Sequence, residues 1–366
     1  MVRPATIEGL AQIIAEAAAS GRRLELRGGG SKAEVGAPRE AELVDLTGFT
    51  GITDYDPAEL VLTAGAGTPL AEIEAAVTER GQMLAFEPFD HGPMFGRPAG
   101  SATIGGVILA GVSGSRRLSR GAARDHLLGF RAVSGRGEAF VGGGKVVKNV
   151  TGYDLCKVMA GSWGRLAALT EVTLKVLPRP QAVLSLAAEG LDPRAAAELM
   201  SRALGSQADV AASAHGPGLT VLRLEGFGPS VEARSALLRA MATELHPVGE
   251  DDAAAFWQGL RHPLPDAPVL WRVSVPPGRA PDVVEKLGGD WRMDWAGGLI
   301  WAAHEDAAVV RATAESAGGH AMLVRAPEAL RSQVPALHPQ PPGVAALEQR
   351  VRRAFDPMGV FETGRF

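Results

Sequence analysis

The spacing of hydrophobic positions changes several times along the chain, and each change marks an element. Ile7, Leu10, Ile14 and Ala17 recur at three- and four-residue intervals, which puts them on one stripe of a helix that Gly21 ends. Leu24 and Leu26 alternate instead, predicting a strand that runs into Arg27-Gly28-Gly29-Gly30-Ser31-Lys32, with strand-like Leu43 to Leu46 beyond it. A strand over Leu60 to Ala64 enters Gly65-Ala66-Gly67. Thr68 and Pro69 then suit the N-cap and first position of a helix buried along Leu70, Ile73 and Val77 and ended by Gly81. Pro88 to Pro98 reads as loop. From Tyr153 the positions Leu155, Val158 and Met159 return to helical spacing, and Gly161 suits the helix end. Val172, Leu174 and Val176 alternate with Thr173 and Lys175 in a half-buried strand that Pro178 and Pro180 terminate.

Beyond residue 180 the pattern repeats itself. Residues 183–249 read strand, helix, strand, hairpin turn at Gly216-Pro217-Gly218, strand, helix and short strand. Residues 269–325 read the same, with the turn at Ala296-Gly297-Gly298. The helix stripes include Leu237, Leu238 and Met241 in the first copy, and Val309, Val310 and Ala317 in the second. A βαββαβ order used twice predicts two ferredoxin-like halves in one antiparallel sheet with helices on one face. Five of the six tryptophans lie beyond residue 250. Trp291, Met293 and Trp295 share one face of a strand, for core packing or for a partner surface. Pro327 to Pro342 is proline-rich and extended. A last helix, striped by Val344, Leu347, Val351 and Phe355, stops at Asp356-Pro357.

Composition narrows the class. The chain has 366 residues, 46% of them hydrophobic, enough for two cores rather than one. A formal net charge of −4 gives no electrostatic case for nucleic acid. Cys156 is the single cysteine, which excludes an internal disulfide or a cysteine-ligated iron-sulfur cluster within this chain and suits a reducing compartment. Glu8, Glu16 and Glu25 interrupt the region where a signal peptide needs an apolar run, and no later run spans a membrane. The expectation is a cytoplasmic protein.

The candidate chemistry lies in glycine-rich turns. Three glycines at a strand end leave N–H groups free to converge on phosphate, with Lys32 adding charge. Gly28-x-Gly30-x-x-Ala33 also fits the dinucleotide fingerprint of a Rossmann fold, but that loop must open a helix, and Gly36 and Pro38 would break one here. The segment Gly100-Ser101-Ala102-Thr103-Ile104-Gly105-Gly106-Val107 can bring a helix N-terminus to the same ligand, or can be a small-residue helix packed on a strand. Gly142-Gly143-Gly144 reads as a tight turn, and Gly152 as a second permissive position. An ATP-binding P-loop is set aside, because Val146 follows Gly144-Lys145 and Ala139 stands at the first glycine position. His91 is either a catalytic base or, more ordinarily, an exposed loop histidine. Arg116, Arg117, Arg120 and Arg124 are either a solvated face with carboxylate partners or a site for an anion or partner; if helical, 116, 120 and 124 share a stripe. Cys156 reads as a small buried side chain.

The segment Val147-Lys148-Asn149-Val150-Thr151-Gly152-Tyr153-Asp154-Leu155, with Gly161-Ser162-Trp163-Gly164-Arg165-Leu166 and Glu171-Val172-Thr173-Leu174-Lys175, resembles the flavoprotein family typified by vanillyl-alcohol oxidase. Within it the likeness is to the smaller FAD-binding subunits of bacterial glycolate oxidases. It is dense over residues 96–180, reaches back to Arg27 and returns at Phe355-Asp356-Pro357-Met358-Gly359-Val360-Phe361, where Glu362-Thr363 replaces the usual Asn-Pro. The resemblance implies an α+β protein. It would have an FAD-binding domain of the vanillyl-alcohol oxidase type at 1–178 and an antiparallel-sheet cap of two ferredoxin-like repeats at 179–330. Residues 331–366 would return to the first domain. It implies cofactor contacts from Gly28, Gly29, Gly30, Ser31, Lys32, Ala102, Thr103, Ile104, Gly105, Gly106, Ser113, Gly114, Thr151, Gly152 and Leu169.

Two departures bear on mechanism. The first glycine loop offers neither the histidine nor the histidine and cysteine pair that tether flavin in covalent members, so FAD should be non-covalent. Relatives that oxidise 2-hydroxy acids carry a His-x-Gly-Asp-Gly-Asn-x-His motif, whereas the histidines at 91, 126, 215, 246, 262, 304, 320 and 338 form no close pair. No catalytic residue and no metal site are assigned. The resemblance implies partners: a larger catalytic FAD subunit and an iron-sulfur subunit, with association at the inner face of the membrane through them. The alternatives are a self-sufficient FAD-dependent 2-hydroxy acid dehydrogenase and a structural subunit that has lost its cofactor.

Overall fold

The computed structural model describes residues 1–144, 153–216 and 218–366. Helix α1 (Ile7–Ser20) begins at Thr6, whose hydroxyl accepts from Gly9 N–H at 3.1 Å, and ends at left-handed Gly21. Its buried Leu10, Ile14 and Ala17 pack on Leu24 of strand β1 (Leu24–Arg27) and Val44 of strand β2 (Glu42–Asp45), which run parallel.

Strands β3 (Ile52–Asp56), β4 (Val61–Gly65), β6 (Leu127–Ser134), β7 (Ala139–Gly143) and β8 (Ala167–Lys175) form an antiparallel sheet ordered β3-β4-β8-β6-β7. A short strand β5 (Gln82–Met83) pairs with β9 (Leu177–Pro178). Strand β8 is central, so even Thr173 is buried, hydroxyl to hydroxyl with Thr63 at 3.0 Å; the strand is not the half-buried one its alternation predicts. Leu60 takes a left-handed φ of 59°, which starts β4 one residue later than expected.

Helix α2 (Leu70–Glu79) buries Leu70, Ile73 and Val77 as predicted, but its cap differs. Pro69 occupies the N-cap, and Thr68 instead accepts from Gly51 N–H at 2.9 Å and donates to the Gly65 carbonyl at 2.7 Å. Gly142 and Gly143 are strand, not turn. They pair with Phe130 and Gly129, and a Cβ on Gly142 would stand 2.4 Å from the Phe130 ring, so the absent side chain makes room for an aromatic neighbour. Thr151 and Gly152 lie outside the described residues. The helix after them, Leu155–Met159, buries Cys156 and Met159 but leaves Val158 exposed. Cys156 donates weakly to the Leu128 carbonyl at 3.3 Å, and burial pushes its thiol up to about 11.

The cap repeats βαββαβ. Its first half holds β10 (Ala182–Glu189), β11 (Ala212–Gly216), β12 (Leu219–Gly226) and β13 (His246–Pro247). The second holds β14 (Leu270–Ser274), β15 (Trp291–Asp294), β16 (Leu299–Ala303) and β17 (His320–Arg325). One antiparallel sheet, ordered β13-β10-β12-β11-β15-β16-β14-β17, joins the halves where His215 of β11 pairs with Met293 of β15. Helices Pro193–Leu204, Gly228–Met241, Ala280–Leu287 and Ala307–Ser316 pack on one face of this sheet. Leu238 and Val310 are buried while their neighbours Leu237 and Val309 are exposed, because a period of 3.6 cannot aim two adjacent residues inward. Trp291 and Met293 pack under the helices. Trp295 has left the strand for a turn with φ of 54° and joins the other face, so the three do not share a surface.

That other face is the domain boundary: Leu270, Trp295, Leu299, Trp301 and Val324 share one apolar cluster with Phe86, Phe89, Met94 and Leu174 of the first domain. The last helix, Pro342–Phe355, packs only Val351 and Phe355 and leaves Val344 and Leu347 about half exposed. Past it, Asp356 accepts from the N–H groups of Val360 and Phe361, both at 2.8 Å, and Leu24 donates to the Val360 carbonyl at 2.8 Å. The tail therefore completes the sheet edge at β1.

Candidate functional site

The loop after β1 and the segment before helix α3 (Ile104–Ala110) are built against each other. Thr103 caps α3 by accepting from Gly106 N–H at 3.4 Å, and Gly111 ends it with a φ of 64°. Asp90 fixes the approach. Its carboxylate accepts from the N–H groups of Gly92, Gly100, Ser101 and Ala102 at 2.8 to 3.2 Å. Ser101 and Thr103 then meet the first loop so closely that only glycine fits. A Cβ on Gly28 would stand 2.2 Å from the Thr103 hydroxyl, and one on Gly29 1.8 Å from the Ser101 carbonyl. Gly105 packs the same way against Ala66, 2.7 Å from its carbonyl oxygen.

Between these loops runs an open groove. Of the residues the resemblance implies, Gly28, Gly29, Gly30, Ser31, Lys32, Thr103, Gly105, Gly106 and Leu169 line it. Ala102 and Ile104 are buried in the core beside it. Ser113 and Gly114 face a second cavity at the domain boundary, with Glu87, Arg223 and Asp294. The groove also takes in Trp163, quoted above only as part of the family motif, and Arg365, which the sequence does not single out. Trp163 sits at a φ of 58°, its N–H donating to Leu109 at 2.8 Å, and Gly164 follows at 75°. Arg365 donates to the carbonyls of Val35, at 2.8 Å, and Lys32, tying the tail to the first loop. Its guanidinium lies 5.6 Å from the Trp163 ring.

The groove is electropositive. Burial brings Lys32 down to about 8, against the pull of Asp90 and with the push of Arg365. Burial and the Arg39 charge bring Arg365 to about 9. Burial works to raise Glu25, but hydrogen bonds from Arg39 and Arg27 hold its carboxyl below the usual range. The glycine-loop backbone with lysine and arginine fits the diphosphate of a dinucleotide, whereas the first N–H groups of α3 are already taken by the Thr68 and Ala66 carbonyls and the Thr103 hydroxyl. No histidine or cysteine lines the groove among the described residues.

The expected loop histidine is different in fact. His91 is buried, stacked on Phe89 with 4.7 Å between ring centres, and its Nδ1 has no hydrogen-bond partner among the described residues. Burial, with the charges of Lys32 and Arg272 behind it, holds the ring neutral, well below its ordinary value. His126 donates to the Arg120 carbonyl at 2.8 Å and is structural.

The arginine run is not one stripe, because Gly121, at a φ of 86°, divides it into two single turns. Arg116 reaches the boundary and donates to Glu225 at 2.8 Å, and its N–H donates to Glu87 at 2.8 Å. Arg223 donates to both oxygens of Glu87, at 2.9 and 3.0 Å. Burial tends to raise Glu87, but Arg223 and Arg116 hold its carboxyl below the usual range. Beside this network Asp294 accepts from the Ser115 hydroxyl at 2.8 Å and from Trp295 N–H at 2.7 Å. Burial, aided by the negative Glu87, raises it to about 7 despite those bonds. Arg117 lies 4.7 Å over the Trp295 ring.

The profile of the FAD binding domain family matches residues 1–143. Over 348 residues, 93% of this chain and 92% of the relative, the chain is 38% identical to the glycolate oxidase subunit GlcE of Escherichia coli. It is 31% identical over 188 residues to a D-lactate dehydrogenase of Archaeoglobus fulgidus, 51% of this chain and 40% of that one. The glycolate oxidase subunit GlcD of Bacillus subtilis matches at 34% over 152 residues, 41% of this chain and 30% of that one. The solved structure of alkyldihydroxyacetonephosphate synthase superposes on 99% of this chain and 76% of its own, with a TM-score of 0.69 and 14% identity, a likeness of fold alone.

Proposed function

Because the chain belongs to the FAD-binding oxidoreductase family of the glycolate oxidase subunit GlcE, we propose that it is the FAD-binding subunit of a multi-subunit glycolate oxidase. In that assembly a 2-hydroxy acid would become a 2-oxo acid, with a larger catalytic FAD subunit and an iron-sulfur subunit as partners. One observation carries this reading. Similarity to GlcE runs through groove, cap and tail, whereas similarity to the D-lactate dehydrogenase covers about half of this chain and less than half of that enzyme.

The two glycine loops, Lys32 and Arg365 would hold FAD non-covalently by its diphosphate. Bound there, it would supply acceptance of the hydride that leaves the substrate carbon. What this chain contributes is position and charge. The loops exclude side chains from the diphosphate path, and Asp90 keeps Ser101 and Ala102 in register with them. Electrons leaving such a flavin need an acceptor, and Cys156 alone cannot ligate an iron-sulfur cluster. Among the described residues no group of three His, Cys, Asp or Glu is placed to hold a metal, and no helix is long and apolar enough to cross a membrane. The reading therefore places the chain in the cytoplasm, at the inner face of the membrane through its partners.

The test is glycolate-dependent dye reduction by the FAD-loaded chain alone and by the co-expressed complex, per mole of flavin. The isolated chain should be slower by about 10²-fold or more, the usual worth of a missing general base. Equal turnover would overturn the subunit reading in favour of a self-sufficient dehydrogenase. A chain purified without flavin would favour the structural subunit.

A further inference from the structure

The arginines at the domain boundary differ in what satisfies them. Arg116 and Arg223 are neutralised by Glu87 and Glu225. Arg325 donates to the carbonyls of Met94, Leu264 and Ala267, each at 2.6 Å. Arg117 and Arg272 have no ion pair and no side-chain hydrogen bond among the described residues. Their guanidiniums rest on the same indole, 4.7 and 5.2 Å from the Trp295 ring centre.

Arg272 belongs to the second repeat and comes to this place through the sheet. It pairs with Trp301 on β16 and Met322 on β17, so its side chain shares the face that packs on the first domain. Arg117 comes from the first domain, one residue after the carboxylate-bound Arg116. Burial brings Arg272 down to about 10, and the charge that acts on it is Arg117, a like charge. A half-buried cation in the field of a second unpaired cation is costly unless an anion joins them, because enclosed charges require partners. The charges that act on Arg117 are Arg124 and, more weakly, Asp125, whose carboxylate accepts from Ala122 N–H at 2.8 Å and makes no ion pair with Arg117 among the described residues.

We propose that Arg117 and Arg272, gathered on Trp295 from the two domains, form a binding site for a small carboxylate. Guanidinium is planar and meets a carboxylate with two parallel N–H bonds. The indole is the apolar neighbour that both guanidiniums share, and Trp301 and Met322 occupy positions beside Arg272 on the same sheet face. The site rests on the functional reading above and names the substrate group this chain would hold. It also separates the arginines: 117 and 272 are free for a ligand, whereas 116 is committed to the protein.

The experiment is calorimetric titration of the FAD-loaded chain with glycolate, glycolamide and inorganic phosphate. Glycolate should saturate, and glycolamide, which has the shape without the charge, should bind about tenfold more weakly or worse, the worth of one charge-assisted contact. Arg272→Met should lose glycolate by a similar factor, with Arg272→Lys between it and the parent and flavin absorbance per chain unchanged in both. Arg117→Met gives the same reading if Arg272→Met does not fold. The proposal is overturned if the parent shows no saturable glycolate heat, if both methionine variants bind as the parent does, or if phosphate binds more tightly than glycolate. A parent without flavin would sink the cofactor reading, and the same titration would still decide the carboxylate site.

Discussion

In the groove the close contacts are made by backbone: Gly29 against the Ser101 carbonyl and Gly105 against the Ala66 carbonyl. At the domain boundary they are made by side chains from segments far apart, among them Glu87 with Arg223 and Arg116 with Glu225. The first construction fails when an atom is added, the second when one is removed. The same protein thus carries one site that tolerates no side chain and another that tolerates no missing charge.

The largest effect should come from breaking the second. Glu87→Ala leaves Arg223 and Arg116 enclosed without their shared carboxylate, and removal of one partner from such a network costs about 3–5 kcal/mol. Denaturant unfolding should show that loss. A change below about 1 kcal/mol would mean that water or Glu225 takes over, and the boundary would be softer than drawn.

Gly29→Val attacks the groove. A Cβ cannot stand 1.8 Å from a carbonyl oxygen, so the loop must shift away from Ser101. FAD affinity should fall by roughly 100-fold, about 2.7 kcal/mol, while the cap, which does not touch Gly29, unfolds as before. Because the added methyls strike protein rather than cofactor, Gly30→Ala sharpens the reading. Its Cβ has space, with the nearest atom at 3.5 Å, so only the φ of +79° resists, and the loss should be nearer tenfold.

A pH dependence confined to the boundary tests the second construction from another side. Asp294 ionises near 7 in the folded chain and near 3.8 when unfolded, so between those values the folded state binds the extra proton. Stability from this group is therefore present below about pH 4 and is lost as pH rises toward 7. Asp294→Asn should flatten the decline by about 2 kcal/mol between pH 5 and 7. An unchanged slope would place the titrating group elsewhere.

Much of this was legible because it is local. Helix caps, alternating strands and the doubled βαββαβ order are written in neighbouring residues, and so are the glycine loops. What escaped the sequence depends on pairs with no local signature. Nothing around His91 announces that Phe89 and the cap will bury it. The spacing of Trp291, Met293 and Trp295 predicts one face, but the turn at Trp295 and Ala296 rotates the last indole to the other side. Gly142 looked like a turn because glycine permits one, and the ring that needs its missing side chain is Phe130, on the next strand. The arginine run shows the same limit: its four members have one composition and three fates, set by Glu87, by Trp295 and by solvent.

The tail has a further consequence, for the order of assembly. Arg23 donates to the Met358 carbonyl at 2.7 Å, Leu24 to Val360 and Arg365 to Val35, so contacts more than 300 residues apart in sequence close the first domain around an inserted cap. Closing a loop of that length costs only logarithmically more entropy than closing a short one, but contacts so distant slow the search. The cap, with its mostly local pairings, can fold first and bring the two ends of its host together. The first glycine loop is held by Arg365, which lies beyond the whole insertion in the chain, so a cut within the cap is expected to reach the cofactor groove through chain topology without touching any residue in it.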